Sequence, residues 1–121
     1  MILHIVKRSE WDEAVRRGIY APPTVSAEGI VHCSTIAQTL QTANRFFRGQ
    51  EGLVLLCIDE RLLTAALKYQ PPAITHGERP SELFPHIHGP LNLDAVTHVV
   101  DFPCEPDGSF RLPAHLRNAS A

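Results

Sequence analysis

Near the middle of the chain six consecutive apolar residues, Leu53–Ile58, form its longest apolar run. The run is far too short to cross a bilayer, which takes about 20 residues. It predicts a central β-strand buried on both faces. Such a strand requires a core, and 121 residues with 44% hydrophobic content can bury one without disulfide or metal staples. Charged residues make up 20%, close to the globular average. The expectation is one domain spanning 1–121, with little order in the tail from about residue 114.

Other segments supply the elements around that strand. Ile2–Val6 is apolar and β-branched, a second buried strand. Ser9 has the chemistry of a helix N-cap, Trp11, Ala14 and Val15 make an apolar stripe, and Gly18 closes the helix. Pro22-Pro23 marks a turn. Gly29–Cys33 reads as a strand, and Thr35-x-x-Gln38 as a capping box. That box opens a helix carrying Ile36, Leu40, Ala43 and Phe47 at helical spacing, ended by Gly49. Asp59 can cap a short helix through Ala66, followed by a strand at Leu67–Gln70. Residues 71–82 are polar and loop-like. Leu83–His88 and Val96–Phe102 are further strands, and Pro106-Asp107-Gly108 is a turn after which Ser109–Leu112 can pair back. Helices come early and strands late, an α+β pattern with two or three helices and a mixed or antiparallel sheet.

Charge and cysteine content exclude several functions. Eleven basic and thirteen acidic residues give a net charge of −2, which argues against a nucleic-acid partner. The three cysteines, Cys33, Cys57 and Cys104, are widely spaced with no Cys-x-x-Cys pair. Zinc-finger and thioredoxin chemistry therefore fall away, and reduced thiols in the cytoplasm are expected. The first residues lack the basic segment and cleavage site of a signal peptide, and no membrane partner is expected.

The unusual feature is seven histidines. His4 lies on the first strand, on the opposite face from Leu3 and Ile5. Val31-His32-Cys33-Ser34-Thr35 joins a strand to a helix start, a corner whose backbone N–H groups suit an anion. In Phe84-Pro85-His86-Ile87-His88, strand alternation puts Phe84, His86 and His88 on one face and Ile87 on the other. Two imidazoles so placed could bind a metal with His32, or line a pocket. Cys33 beside a helix start could be a nucleophile with His32 or His86 as base. A third alternative is a non-enzymatic interaction module with hydrogen-bonded core histidines.

The stretches His4-Ile5-Val6, Gly29-Ile30-Val31-His32-Cys33-Ser34-Thr35-x-x-Gln38 and Leu83-Phe84-Pro85-His86-Ile87-His88-Gly89-Pro90-Leu91 resemble an uncharacterised bacterial family, domain of unknown function family 952. Trp11, the Thr42–Phe47 segment and the Asp107-Gly108 turn extend the resemblance over essentially the whole chain. That family often has Tyr where this chain has His88, so the position is no obligatory metal ligand. The resemblance implies a remote relation to the ADP-ribosyltransferase superfamily, which includes RNA 2′-phosphotransferases. It thereby implies a split β-sheet with NAD in a cleft and a small-molecule nucleotide as partner. On that footing His4, His32, His86 and Glu82 are the expected catalytic residues. Glu82 stands in for the superfamily's late-strand carboxylate, since no Glu-x-Glu exists here. His4, Ser34, Thr35, Phe84 and Arg79 are the expected NAD contacts. Arg45 and Arg48 are further cations for phosphates, and Tyr20 and Phe47 further rings for stacking.

Overall fold

The computed structural model describes residues 1–72 and 82–119. Its elements are β1 (Ile2–Lys7), α1 (Arg8–Arg17), β2 (Ile19–Tyr20), α2 (Pro23–Glu28), β3 (Val31–His32), α3 (Ile36–Phe46) and β4 (Leu53–Ile58). They continue with β5 (Ala66–Gln70), β6 (Phe84–His88), β7 (Leu91–Asn92), β8 (Val96–Asp101) and α4 (Ala114–Ala119). The domain is α+β, and its strands pair antiparallel throughout.

All six residues of β4 are buried, and the strand lies between β1 and β8. The pleat sends alternate residues to two cores. One contains Leu3, Ile5, Leu53 and Leu55 with Ala43 of α3, Phe102, Phe110 and Leu116. The other contains Ile2, Val6, Val54 and Leu56 with Ala14, Tyr20, Val31 and Ile87. A second three-stranded sheet has the order β3-β6-β5, and β2 pairs with β7 as a short ribbon. The two larger sheets meet at one bridge, where Leu3 and Ser34 exchange backbone hydrogen bonds of 2.8 Å in both directions.

Several local expectations change in the folded chain. Helix α1 starts at Arg8, and Ser9 is inside its first turn rather than the cap. The Arg8 N–H donates to Gly52 O at 2.8 Å, so tertiary structure replaces the side-chain cap. Pro22-Pro23 opens a helix, α2, with proline in its first turn. Proline suits that position because an N–H there has no intrahelical partner. The Thr35–Gln38 capping box forms as expected, but α3 ends at Phe46, before Gly49. Asp59 caps only a single 3-10 turn, Glu60–Leu62. Ser109–Leu112 does not pair as a strand. Phe110 N–H donates instead to Asn44 Oδ1 on α3 at 2.8 Å, and the Phe110 ring stacks on Phe102 at 4.7 Å. The expected tail forms α4, with Leu116 fully buried in the α3-side core. That makes four helices among the described residues, where two or three were expected.

Candidate functional site

His4 occupies the middle of β1 on the face that carries Ile2 and Val6. Its Nδ1 lies 2.6 Å from the carbonyl oxygen of His32, and its Nε2 lies 2.7 Å from the Tyr20 hydroxyl. A carbonyl can only accept, so Nδ1 carries the proton. Burial lowers the His4 pKa to about 4. The ring is therefore neutral near pH 7, and Nε2 accepts from the Tyr20 O–H. Burial also raises the Tyr20 pKa well above its ordinary value, which keeps that hydroxyl protonated.

A second polar chain crosses the β3–β6–β5 sheet. His32 and His86 are direct cross-strand partners, with ring centroids 5.0 Å apart in an edge-to-face arrangement. Glu28, at the end of α2, places Oε1 3.2 Å from His32 Nε2. His86 is buried, and that burial, followed by repulsion from His32 and His88, lowers its pKa. Gln70 of β5 joins His86 to His88: its Oε1 lies 3.1 Å from His86 Nδ1 and 2.8 Å from His88 Nε2.

His4, Tyr20, Glu28, His32 and His86 border a cavity of about 540 Å³. Of the expected site residues, His4, His32, Ser34, Phe84 and His86 line it, as do Tyr20, Phe47 and Arg45. The walls are mainly apolar, with Lys7 and Arg45 as cations and Glu10 and Glu28 as carboxylates. Its volume falls within the usual range for small-molecule sites, about 300–1,000 Å³.

Other expected residues serve elsewhere. Thr35 is outside the lining, because its hydroxyl caps α3 by accepting from Gln38 N–H. The return bond from Thr35 N–H to Gln38 Oε1 occupies a second amide, so the helix start is not an open anion corner. Glu82 is also outside the lining; Gln38 and Gln41 hold its carboxylate at 3.3 and 3.4 Å. It ties α3 to the start of β6, reinforced by the 2.7 Å bond from Gln38 Nε2 to Leu83 O. Arg48 reaches the Asp107 carbonyl at 3.4 Å and does not line the cavity. Arg79 lies outside the described residues. Cys33 touches the cavity but is a poor nucleophile, because burial pushes its thiol pKa far up and leaves it protonated. Of the two imidazoles proposed for a metal, His86 and His88, both are bonded to Gln70 Oε1. Among the described residues no three His, Cys, Asp or Glu side chains are grouped to hold an ion.

Three participants were not legible as such in the sequence. Glu28 depends on helix α2, which Pro23 and Gly29 could have signalled as first-turn proline and C-terminal glycine. Gln70 had no local signal, since its role depends on β5 pairing with β6. Tyr20 was visible as an aromatic ring, but not as a hydroxyl aimed at His4.

No curated protein matches this chain significantly. Protein CC0527 from Caulobacter crescentus is similar in a crystal structure at 34% identity and a TM-score of 0.79, covering 96% of this chain and 97% of that one. A double mutant of CC0527 also gives 0.79, at 33% identity and the same coverage. Its solution NMR structure gives 0.76 at 34% identity, covering 94% of each chain. Residues 5–99 match the family model described as protein of unknown function DUF952. With most of its length matched, and His32, Ser34 and His86 of its long motifs gathered at one cavity, this chain belongs to the DUF952 family.

Proposed function

We propose that the cavity binds a nucleotide of the NAD or ADP-ribose class, and that the chain acts in ADP-ribosyl or phosphoribosyl transfer or hydrolysis. The observation that carries this reading is the meeting of His4, His32, Ser34, Phe84 and His86, from three separate segments, around one cavity that also presents Lys7 and Arg45. Lys7 and Arg45 can balance phosphate charge. Phe84, Phe47 or Tyr20 can stack on a flat ring. Two antiparallel sheets joined at a single bridge also agree with the ADP-ribosyltransferase-like split sheet that the resemblance implies.

In the reaction, the bond from ribose C1′ to the nicotinamide nitrogen breaks, and nicotinamide leaves with the electron pair. Water or an acceptor hydroxyl forms the new C1′–O bond and gives up its proton. Positive charge on the sugar calls for a nearby carboxylate. Glu82 does not line the cavity; Glu28, held by His32, does. His86, kept neutral by burial, can accept the proton. The carboxylate thus comes from a different segment than the superfamily pattern implies.

Calorimetric titration of the purified chain with NAD and with ADP-ribose tests the reading. Saturable binding is expected, weakened at least tenfold in His4→Ala that retains its near-UV circular dichroism. No saturable binding by either ligand overturns it.

A further inference from the structure

We infer that Tyr20 selects the ligand of this cavity, offering a hydroxyl oxygen that accepts a hydrogen bond from a ligand hydroxyl because its own hydrogen is committed to His4. Assigning that hydroxyl to a ribose rests on the nucleotide reading above.

The direction of the hydrogen bonds carries the argument. The His32 carbonyl is part of β3 and accepts from His4 Nδ1 at 2.6 Å. That bond leaves His4 Nε2 as an acceptor, and the Tyr20 hydroxyl donates to it at 2.7 Å. Both side chains line the cavity, yet His4 has no ring nitrogen left for a ligand. The polar contact therefore passes to Tyr20, and His4 is a positioning residue acting through it. Tyr20 cannot easily turn away: it pairs with Leu91 across β2 and β7 and is only 5% exposed. With its hydrogen used, the phenol oxygen retains a lone pair. A ligand hydroxyl meets an acceptor there, whereas a carbonyl or phosphate oxygen meets another lone pair.

The cations of the cavity lie at other residues, Lys7 and Arg45. A ligand must then present hydroxyls at Tyr20 and negative charge elsewhere. A phosphorylated ribose has both.

The test is a cycle of two changes read by binding affinity. Wild type and Tyr20→Phe are each titrated with ADP-ribose and with analogues lacking one ribose hydroxyl. Either change alone is expected to weaken binding about tenfold, and the two together no more than one alone, since they remove the same bond. Losses that multiply, or a Tyr20→Phe protein that binds and discriminates like wild type, overturn the inference and leave the nucleotide reading intact. Should Tyr20→Phe not fold, wild type that binds every analogue equally overturns it as well. Wild type binding neither NAD nor ADP-ribose overturns the nucleotide reading and the ribose assignment with it. Nitrogen-15 NMR of the ligand-free protein separates that failure from one in the hydrogen-bond chain. His4 should carry its proton on Nδ1 at neutral pH, and a proton on Nε2 overturns the role given to Tyr20.

Discussion

β4 and β6 are both the middle strand of a three-stranded antiparallel sheet, and they use that position differently. β4 is apolar at all six positions and wholly buried. β6 buries Phe84, Pro85, His86 and Ile87, so an imidazole sits inside. A buried polar ring is unfavourable unless partnered, and the partners come from elsewhere: Gln70 from β5 and the ring of His32 from β3. β1 contains both behaviours in one strand. Leu3 and Ile5 enter the α3-side core, while His4 on the other face bonds Tyr20 and the His32 carbonyl. The β1–β4–β8 sheet packs apolar residues on both faces, whereas the β3–β6–β5 sheet combines buried apolar residues such as Val31 and Ile87 with buried polar ones.

The largest expected effect is in the β1–β4–β8 sheet. Leu55→Ala in β4 should cost about 3 kcal/mol or more in urea unfolding, since Leu55 is fully buried. A loss below about 1 kcal/mol would break the comparison, showing that β4 is not the stability centre.

Next comes pH dependence at a buried histidine. The pKa of His4 is lowered from 6.5 unfolded to about 4 folded. Between those values the unfolded chain binds the extra proton, so this contribution is complete above pH 6.5 and is lost as pH falls toward 4. The loss is expected to approach about 3 kcal/mol. Unfolding midpoints of wild type and His4→Gln between pH 4 and 7 measure it. Equal slopes in the two proteins would remove His4 as the cause.

The smallest effect is at the contact between α3 and the start of β6. Gln38→Ala removes one side of the capping box and the bond to Leu83 O, at an expected cost of about 1 kcal/mol. Thermal denaturation reads it, and a change in ADP-ribose affinity of more than about threefold would show that this contact also shapes the cavity.

The local signals were legible where the responsible interaction is itself local. Thr35 and Gln38 cap α3 as their spacing predicts, and Gly18 ends α1 with φ 83°. Ser9 misled because a distant carbonyl, Gly52 O, satisfies the helix start. The resemblance implies Thr35 and Glu82 as site residues, but the hydroxyl caps α3 and the carboxylate is held by two glutamines, contacts that a family pattern does not display.

Alternation and apolar runs by themselves determined that β4 is buried on both faces, that His4 opposes Leu3 and Ile5, and that His86 opposes Ile87. Those facts follow from the two-residue repeat of an extended chain, which needs no partner. Only the tertiary structure decided that His4 meets Tyr20, that His32 faces His86, and that Gln70 joins His86 to His88. Each of those contacts joins residues at least 16 positions apart, and strand pairing rather than local preference sets which of them touch.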